Sequence, residues 1–207
     1  MAKNFAEIAF TDAVKKLQEK HGSRKNYERM EKFSVIDGLT ENEIAFIEKL
    51  DSFYMASVGV KEFPYIQHRG GPKGFLKVID SKHIGFIDFT GNKQYVSVGN
   101  ISTNNNVSII AVDYPSKTRL KIYAKVEVLE LSDNPELYKL LDLDNYKFRP
   151  EHMLVFTIEA YDWNCPQHIT PRYNVDEINN AFLPQQEYIK SLKKEIKGLK
   201  EKIKQTT

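Results

Sequence analysis

Cysteine is almost missing from this chain. Cys165 is the only one in 207 residues, which excludes an internal disulfide framework and suits a reducing compartment. Tryptophan is as scarce, with Trp163 alone. No run reaches the roughly 18 consecutive apolar residues of a membrane span, and the first residues, MAKNFAEIAF, lack the apolar stretch of a secretion signal. An excess of charge of one sign is missing too: 30 Lys and Arg stand against 28 Asp and Glu, for a net charge of +2. No global field therefore recruits nucleic acid or an anionic membrane. Neither GxGxxG nor GxxxxGK[ST] occurs, which removes the Rossmann fingerprint and the Walker A loop. These absences lead to the expectation of a soluble cytoplasmic protein with neither nucleic acid nor membrane as partner.

What is present is enough apolar material for a core: 41% hydrophobic residues, 12% of the chain being aromatic. The first fifty residues read as helical. Thr11 is placed to cap a segment carrying Val14 and Leu17 and ended by Gly22, and Thr40 with Glu43 forms a capping-box pair ahead of Ile44, Ile47 and Leu50. From Ser52 the texture changes to short strand-like runs: SFYMASVGV, GFLKVID, HIGFIDF, QYVSVGN, VSIIAVD, RLKIYAKVEVLE and MLVFTIEA. In the sixth run Leu120, Ile122, Ala124, Val126 and Val128 alternate with Lys121, Tyr123, Lys125 and Glu127, the pattern of a strand with one buried face. PELYKLLD between the last two runs reads as a short helix. Strands at this spacing predict an antiparallel barrel or sandwich, mainly β with flanking helices. The expected division is a helical segment over 1–50, a barrel over 51–183 and a helical tail over 184–207. In the tail Ile189, Leu192, Ile196, Leu199 and Ile203 follow 3-4 spacing, but over barely two heptads interrupted by Gly198. An amphipathic helix laid on its own body or on a partner subunit is the simpler expectation.

Two segments concentrate anion-binding chemistry. YIQHRGGPKGFLKVID sets His68, Arg69 and Lys73 among glycines that include Gly70, and DFTGNKQYVSVGN sets Thr90, Gly91, Asn92, Lys93 and Gln94 in sequence. Hydroxyl, amides, ammonium and close-approaching backbone are what a phosphate needs where no helix end serves it. Two β-turns with solvated cations would give the same residues; the presence of two such turns beside adjacent strands favours a phosphate site. A third segment, YDWNCPQHITPRY, holds Trp163, Cys165, Gln167, His168 and Arg172. One Cys and one nearby His do not make a zinc set, so no metal site is expected. A planar ligand held by Trp163 and Arg172 needs fewer coincidences than cysteine catalysis.

HRGGPKGFLKV, DFTGNKQYVSVGNI, the DYP-x-x-x-RL step from Asp113 to Leu120, and WNCPQHITPR together resemble the FMN-binding split-barrel flavoproteins related to pyridoxamine 5'-phosphate oxidase. The resemblance covers about Phe10 to Tyr173. It implies a six-stranded antiparallel Greek-key split barrel, a homodimer, and FMN at the dimer interface. It implies a cofactor-binding set of Arg69, Gly70, Lys73, Lys77, Phe89, Thr90, Gly91, Asn92, Lys93, Gln94, Trp163, Gln167, His168 and Arg172. Phe75 to Lys77 is similar to the oxidase's Leu-Leu-Lys strand and Phe89-Thr90 to its Tyr-Thr pair. Gly91-Asn92-Lys93 stands where the oxidase's Ser-Arg-Lys grips the phosphate, so the lysine is kept and the arginine has become Asn92. Arg69 is the best match to the remaining phosphate arginine, with Lys73 second, and Trp163 and Arg172 resemble residues that reach the flavin from the other subunit.

The departures bear on activity. His168 and Thr170 occupy the oxidase's Arg-x-His, and LYKLLDLDNYKFRPEHM offers no clear match to its substrate-phosphate residues. The resemblance thus implies a flavin site that is kept and a vitamin B6 site that is not. The leading expectation is an FMN-dependent oxidoreductase acting on an unidentified small molecule or electron donor, without pyridoxamine phosphate oxidation. A non-catalytic flavin-binding or sensing protein, or a relative binding haem or a deazaflavin, is the alternative. No residue stands out as general acid or base; His68 and His168 qualify only by reach.

Overall fold

A computed structural model describes residues 4–33 and 37–206. The expected 1–50 and 184–207 segments extend into positions 1–3, 34–36 and 207, which lie outside the described residues. Two compact units are present. The first comprises the described residues up to Asp113 together with Thr118–Gln167; the second joins Tyr114–Lys117 to the segment from His168.

The first unit opens with helices α1 (Phe5–Ala9), α2 (Asp12–Lys20), α3 (Arg24–Phe33) and α4 (Glu41–Ile47). Asn4, almost wholly buried, accepts from the Ala6 amide and donates to the Glu31 carbonyl at 2.7 Å, so one side chain both caps α1 and ties it to α3. Phe5 then stacks on Tyr123 of the sheet at 4.9 Å. Thr11 caps α2 through the Val14 amide, and Gly22 beyond its end takes φ +72°, both as the sequence predicts.

Seven strands follow: β1 (Ser52–Val58), β2 (Pro64–Gly70), β3 (Lys77–Val78), β4 (His83–Phe89), β5 (Asn106–Asp113), β6 (Thr118–Leu129) and β7 (Pro150–Asn164), with α5 (Val96–Ile101) and α6 (Pro135–Leu141) between them. All pairings are antiparallel, in the order β2-β1-β5-β6-β7-β4-β3. The mainly-β fold with flanking helices is as expected, with seven strands where the resemblance implies six. The sheet curls on itself. Phe53 of β1 packs edge-on against Phe86 of β4 at 5.7 Å, although three strands separate them in the sheet, and Phe75 and Phe156 complete this aromatic centre. The alternation in β6 is as read: Leu120, Ile122, Ala124 and Val126 are buried while Lys125 and Glu127 are exposed.

Two local expectations fail. QYVSVGN is not a strand: Tyr95 takes a left-handed backbone (φ 53°) and the chain turns into α5, burying Ser97 and Ile101 one helical turn apart. The β-branched Val96 and Val98 suggested extension, but burial at i and i+4 decided otherwise. GFLKVID is strand only at Lys77–Val78; the full strand of the Gly-rich segment is PYIQHRG ahead of it, and the glycine downstream of that strand has a packing reason. A Cβ at Gly71 would stand 2.7 Å from the Phe75 ring, closer than contact allows.

In the second unit α7 runs from Val175 to Thr206, starting nine residues before the expected boundary at Pro184, which lies inside it. The helix starts where it does because Asn174 and Glu177 cap each other reciprocally: the Glu177 amide donates to Asn174 Oδ1 at 2.8 Å and the Asn174 amide to Glu177 Oε2 at 2.9 Å.

Candidate functional site

Strand alternation builds one wall of a cleft in the first unit. Tyr65, Gln67 and Arg69 recur at every second position of β2 and point to the same side. The opposite wall is the segment following β4, where Phe89, Gly91, Asn92, Lys93 and Gln94 lead into Tyr95 and Ser97. The loop between is held in an uncommon conformation. Lys93 and Tyr95 both have left-handed backbones (φ 58° and 53°), and the Gln94 amide donates to Asn92 Oδ1 at 3.1 Å. Ser97 donates to Gln67 Oε1 at 2.6 Å, fastening the loop's end to β2.

The floor of the cleft is a buried charge network. Arg69 Nη1 donates to Asp88 Oδ1 at 2.5 Å, with both side chains about nine-tenths buried. His152, the register partner of Asp88 on β7, brings Nε2 within 3.0 Å of Asp88 Oδ2 but in poor hydrogen-bond geometry. Arg69 Nε is buried with no hydrogen-bond partner. Glu151 accepts from the Tyr95 hydroxyl at 2.6 Å, and that hydrogen bond pushes the Tyr95 phenol above its ordinary range. Both carboxylates are thereby engaged. Among the described residues Lys93 has no carboxylate partner within ion-pair reach, so it is the cation left to meet a ligand.

Six of the predicted site residues, Arg69, Phe89, Gly91, Asn92, Lys93 and Gln94, thus line one cleft. The others do not. Gly70 pairs with Ser52 at the end of β2, and Lys77 pairs with Gly85. Lys73 lies in the loop after β2 and has an interaction of its own. Thr90 spends its one hydroxyl proton on the Arg149 carbonyl at 3.2 Å. Gln167 sits in an exposed turn, and His168 and Arg172 belong to the second unit, where Arg172 lies 4.8 Å over the Tyr114 ring.

Trp163 is held by its own chain. Its indole N–H donates to Glu43 Oε1 at 2.6 Å and its ring meets Phe46 edge-on at 4.9 Å. Glu43 also accepts from the Thr40 amide (2.9 Å), the Thr40 hydroxyl and the Tyr161 hydroxyl (3.1 Å). Burial pushes the Glu43 carboxyl up, but these hydrogen bonds outweigh it and hold it below the usual carboxylate range. The predicted capping box is therefore also the anchor that fixes β7 to α4.

The cleft residues that escaped the sequence reading include Gln67, Asp88, Tyr95, Ser97, Glu151 and His152. Alternation in PYIQHRG carried the signal for Gln67; the Asp88–His152 pairing depends on strand register, which no local pattern announces.

Comparison with known proteins gives the family. Residues 39–162 match the family profile described as Pyridoxamine 5'-phosphate oxidase. No curated protein matches. Among solved structures, HupZ of Group A Streptococcus superposes with a TM-score of 0.49 at 16% identity, over 65% of this chain and 100% of that one. A candidate pyridoxamine 5'-phosphate oxidase of Lactobacillus delbrueckii gives 0.46 at 25% identity over 60% and 93%. An FMN-binding protein of Syntrophomonas wolfei gives 0.44 at 17% identity over 71% and 97%.

Proposed function

The chain belongs to the pyridoxamine 5'-phosphate oxidase family, and from that premise we propose that it is an FMN-dependent oxidoreductase whose cofactor phosphate binds in the cleft beside Lys93. The observation that carries this reading is the convergence of β2 and the Gly91–Gln94 loop on one cleft in which Lys93 has no acidic partner and Arg69 keeps a buried, unpaired Nε. A phosphate calls for charge-assisted donors and no competing acceptor. Asp88 and Glu151 do not compete, because Arg69 and Tyr95 already engage them. Lys93 is the leading phosphate ligand, with Arg69, the Asn92 and Gln94 amides and the Gly91 backbone in support.

The cavity measures about 50 Å³, against roughly 300–1,000 Å³ for a site that encloses a whole small molecule. It suits a phosphate rather than a complete flavin nucleotide. The ring then rests against surface that a second chain completes, which makes the working protein a homodimer. Tyr95 and Val96 at the cleft, and Phe63 and Ile66 near β2, are exposed apolar groups available to such an interface. Bound FMN would supply reversible electron transfer; the chain's part is to anchor the phosphate and shield the ring. With a single, exposed cysteine, the cytoplasm suits it.

The test is the absorption spectrum of the purified protein, followed under argon during addition of NADH or NADPH. Flavin bands that bleach on addition support an oxidoreductase. Flavin that neither nicotinamide reduces favours a binding or sensing role, and a protein that neither carries nor takes up flavin contradicts the proposal.

A further inference from the structure

The apolar residues of α7 are exposed along its length, and most of them fall on one seam, with Leu183 and Tyr188 beside it at b and g. From Val175 the positions separated alternately by three and four residues are Val175, Ile178, Phe182, Gln185, Ile189, Leu192, Ile196, Leu199 and Ile203. Ile178, Phe182, Ile189, Leu192, Ile196, Leu199 and Ile203 are each between 38% and 66% exposed. This is a heptad register that continues unbroken for more than four repeats, because the helix starts at Val175 and not at Pro184. Its two apparent interruptions lie off the seam: counting from Phe182 and Ile196 as a positions, Pro184 and Gly198 both fall at c, on the outer face.

We propose that the occupant of this seam is the same helix of a second copy of this chain, aligned parallel, so that α7 is half of a two-stranded coiled coil. Three features select that occupant. In the last three repeats the a positions are Ile189, Ile196 and Ile203 and the d positions Leu192 and Leu199, the β-branched and Leu arrangement that favours parallel dimers. The flanking charges agree. Glu195 falls at g and Lys200 at the following e, so a parallel partner sets opposite charges together, whereas an antiparallel one sets the e-position lysines, Lys193 and Lys200, against each other. From Ile189 onward the apolar stripe is also narrow, two residues in seven, where a helix lying on a membrane surface or on a domain core presents a wider face. Gln185 at a d position is the polar member of the seam, the kind of residue that fixes register at some cost in stability. The proposal does not depend on which cofactor the first unit binds.

Cysteine cross-linking of the full chain tests it. In a Cys165→Ser background, Leu192→Cys and Leu199→Cys are introduced separately, with Lys194→Cys on the outer face as control. Dilute protein is exposed to oxidised glutathione. A parallel coil brings each d residue against its own copy, so both d variants should form interchain disulfides at least tenfold faster than the control, with or without FMN. Cross-linking at only one d position points to an antiparallel pair and overturns the proposal. So do equal rates at Leu192, Leu199 and Lys194, or no cross-linking at all. Sedimentation of the reduced chain with vesicles containing phosphatidylserine is run alongside; binding that the covalent Leu199→Cys dimer loses would show that a membrane, not a second helix, is the natural occupant.

Discussion

Arg69 of β2 and Asp88 of β4 meet at 2.5 Å, although β2 is one edge of the sheet and β4 lies five places along it. Their contact bridges the place where the sheet has curled round, and it decides how the cleft works. The better buried of its two cations is already matched by a carboxylate, which makes Lys93 the leading ligand of the phosphate proposed above. Asp88→Asn should therefore act on stability first. Removing one partner of a buried pair typically costs about 3–5 kcal/mol, and urea unfolding of the variant should register a loss of that order. A loss under about 0.5 kcal/mol would mean that the pair is solvated.

Glu43 ties acid stability to Trp163. Because its folded-state acidity is greater than that of an unfolded Glu, whose pKa is about 4.3, the unfolded chain binds the proton more readily. The stabilisation is complete above that value and is lost as pH falls through the lower, folded one. Urea midpoints taken from pH 6 to pH 3 should fall steeply for the natural chain and less steeply for Glu43→Gln. The variant should also begin about 1.5–3 kcal/mol less stable at pH 6, the worth of one hydrogen bond to a charged group. Parallel pH profiles for the two proteins would contradict this role.

The same residue shows what the sequence made legible. Thr40 and Glu43 read as a capping box and form one, as local spacing dictates. That the same carboxylate would also receive the Trp163 and Tyr161 donors, some 120 positions away, depends on how β7 lies over α4, and no local pattern contains that. The alternation in β6 was readable because a half-buried strand leaves a period of two. Segment 94–100 was misread because two valines spoke for a strand while the burial of Ser97 and Ile101 required a helix. The cations of the cleft were readable as residue types, but the pairing of Arg69 with Asp88 rests on the curl that brings β2 to β4. α7 hid its start behind an unread Asn174–Glu177 cap, which left the heptads looking too few.

Gly198→Ala should stabilise α7. A Cβ built there meets nothing within 4 Å, and the position is helical. Alanine in place of glycine in a helix interior is worth about 1 kcal/mol. Mean residue ellipticity at 222 nm, followed through a thermal ramp, should show the helix melting later. Unchanged or earlier melting would mean that the segment does not remain helical in solution.

Pyridoxamine phosphate should be a poor substrate. His168 and Thr170 stand where the resemblance implies an Arg-x-His, and each polar group of a substrate left unmatched costs about 1–3 kcal/mol. Two or three such losses slow turnover by several powers of ten. Oxygen uptake by FMN-loaded protein with pyridoxamine phosphate should remain at background; turnover near 1 per second, typical of enzymes, would overturn the reading of these departures.

The central claim, a phosphate cleft governed by Lys93, is tested most directly by comparing FMN with riboflavin, which differs only in lacking the phosphate. Fluorescence titration of the flavin-free protein should give a Kd for FMN at least tenfold below that for riboflavin, since one charge-assisted hydrogen bond is worth about 1.5–3 kcal/mol and 1.4 kcal/mol is tenfold in affinity. Lys93→Ala should erase most of that preference while leaving riboflavin binding unchanged. Equal affinities in the natural protein, or a preference that survives Lys93→Ala intact, would contradict the account.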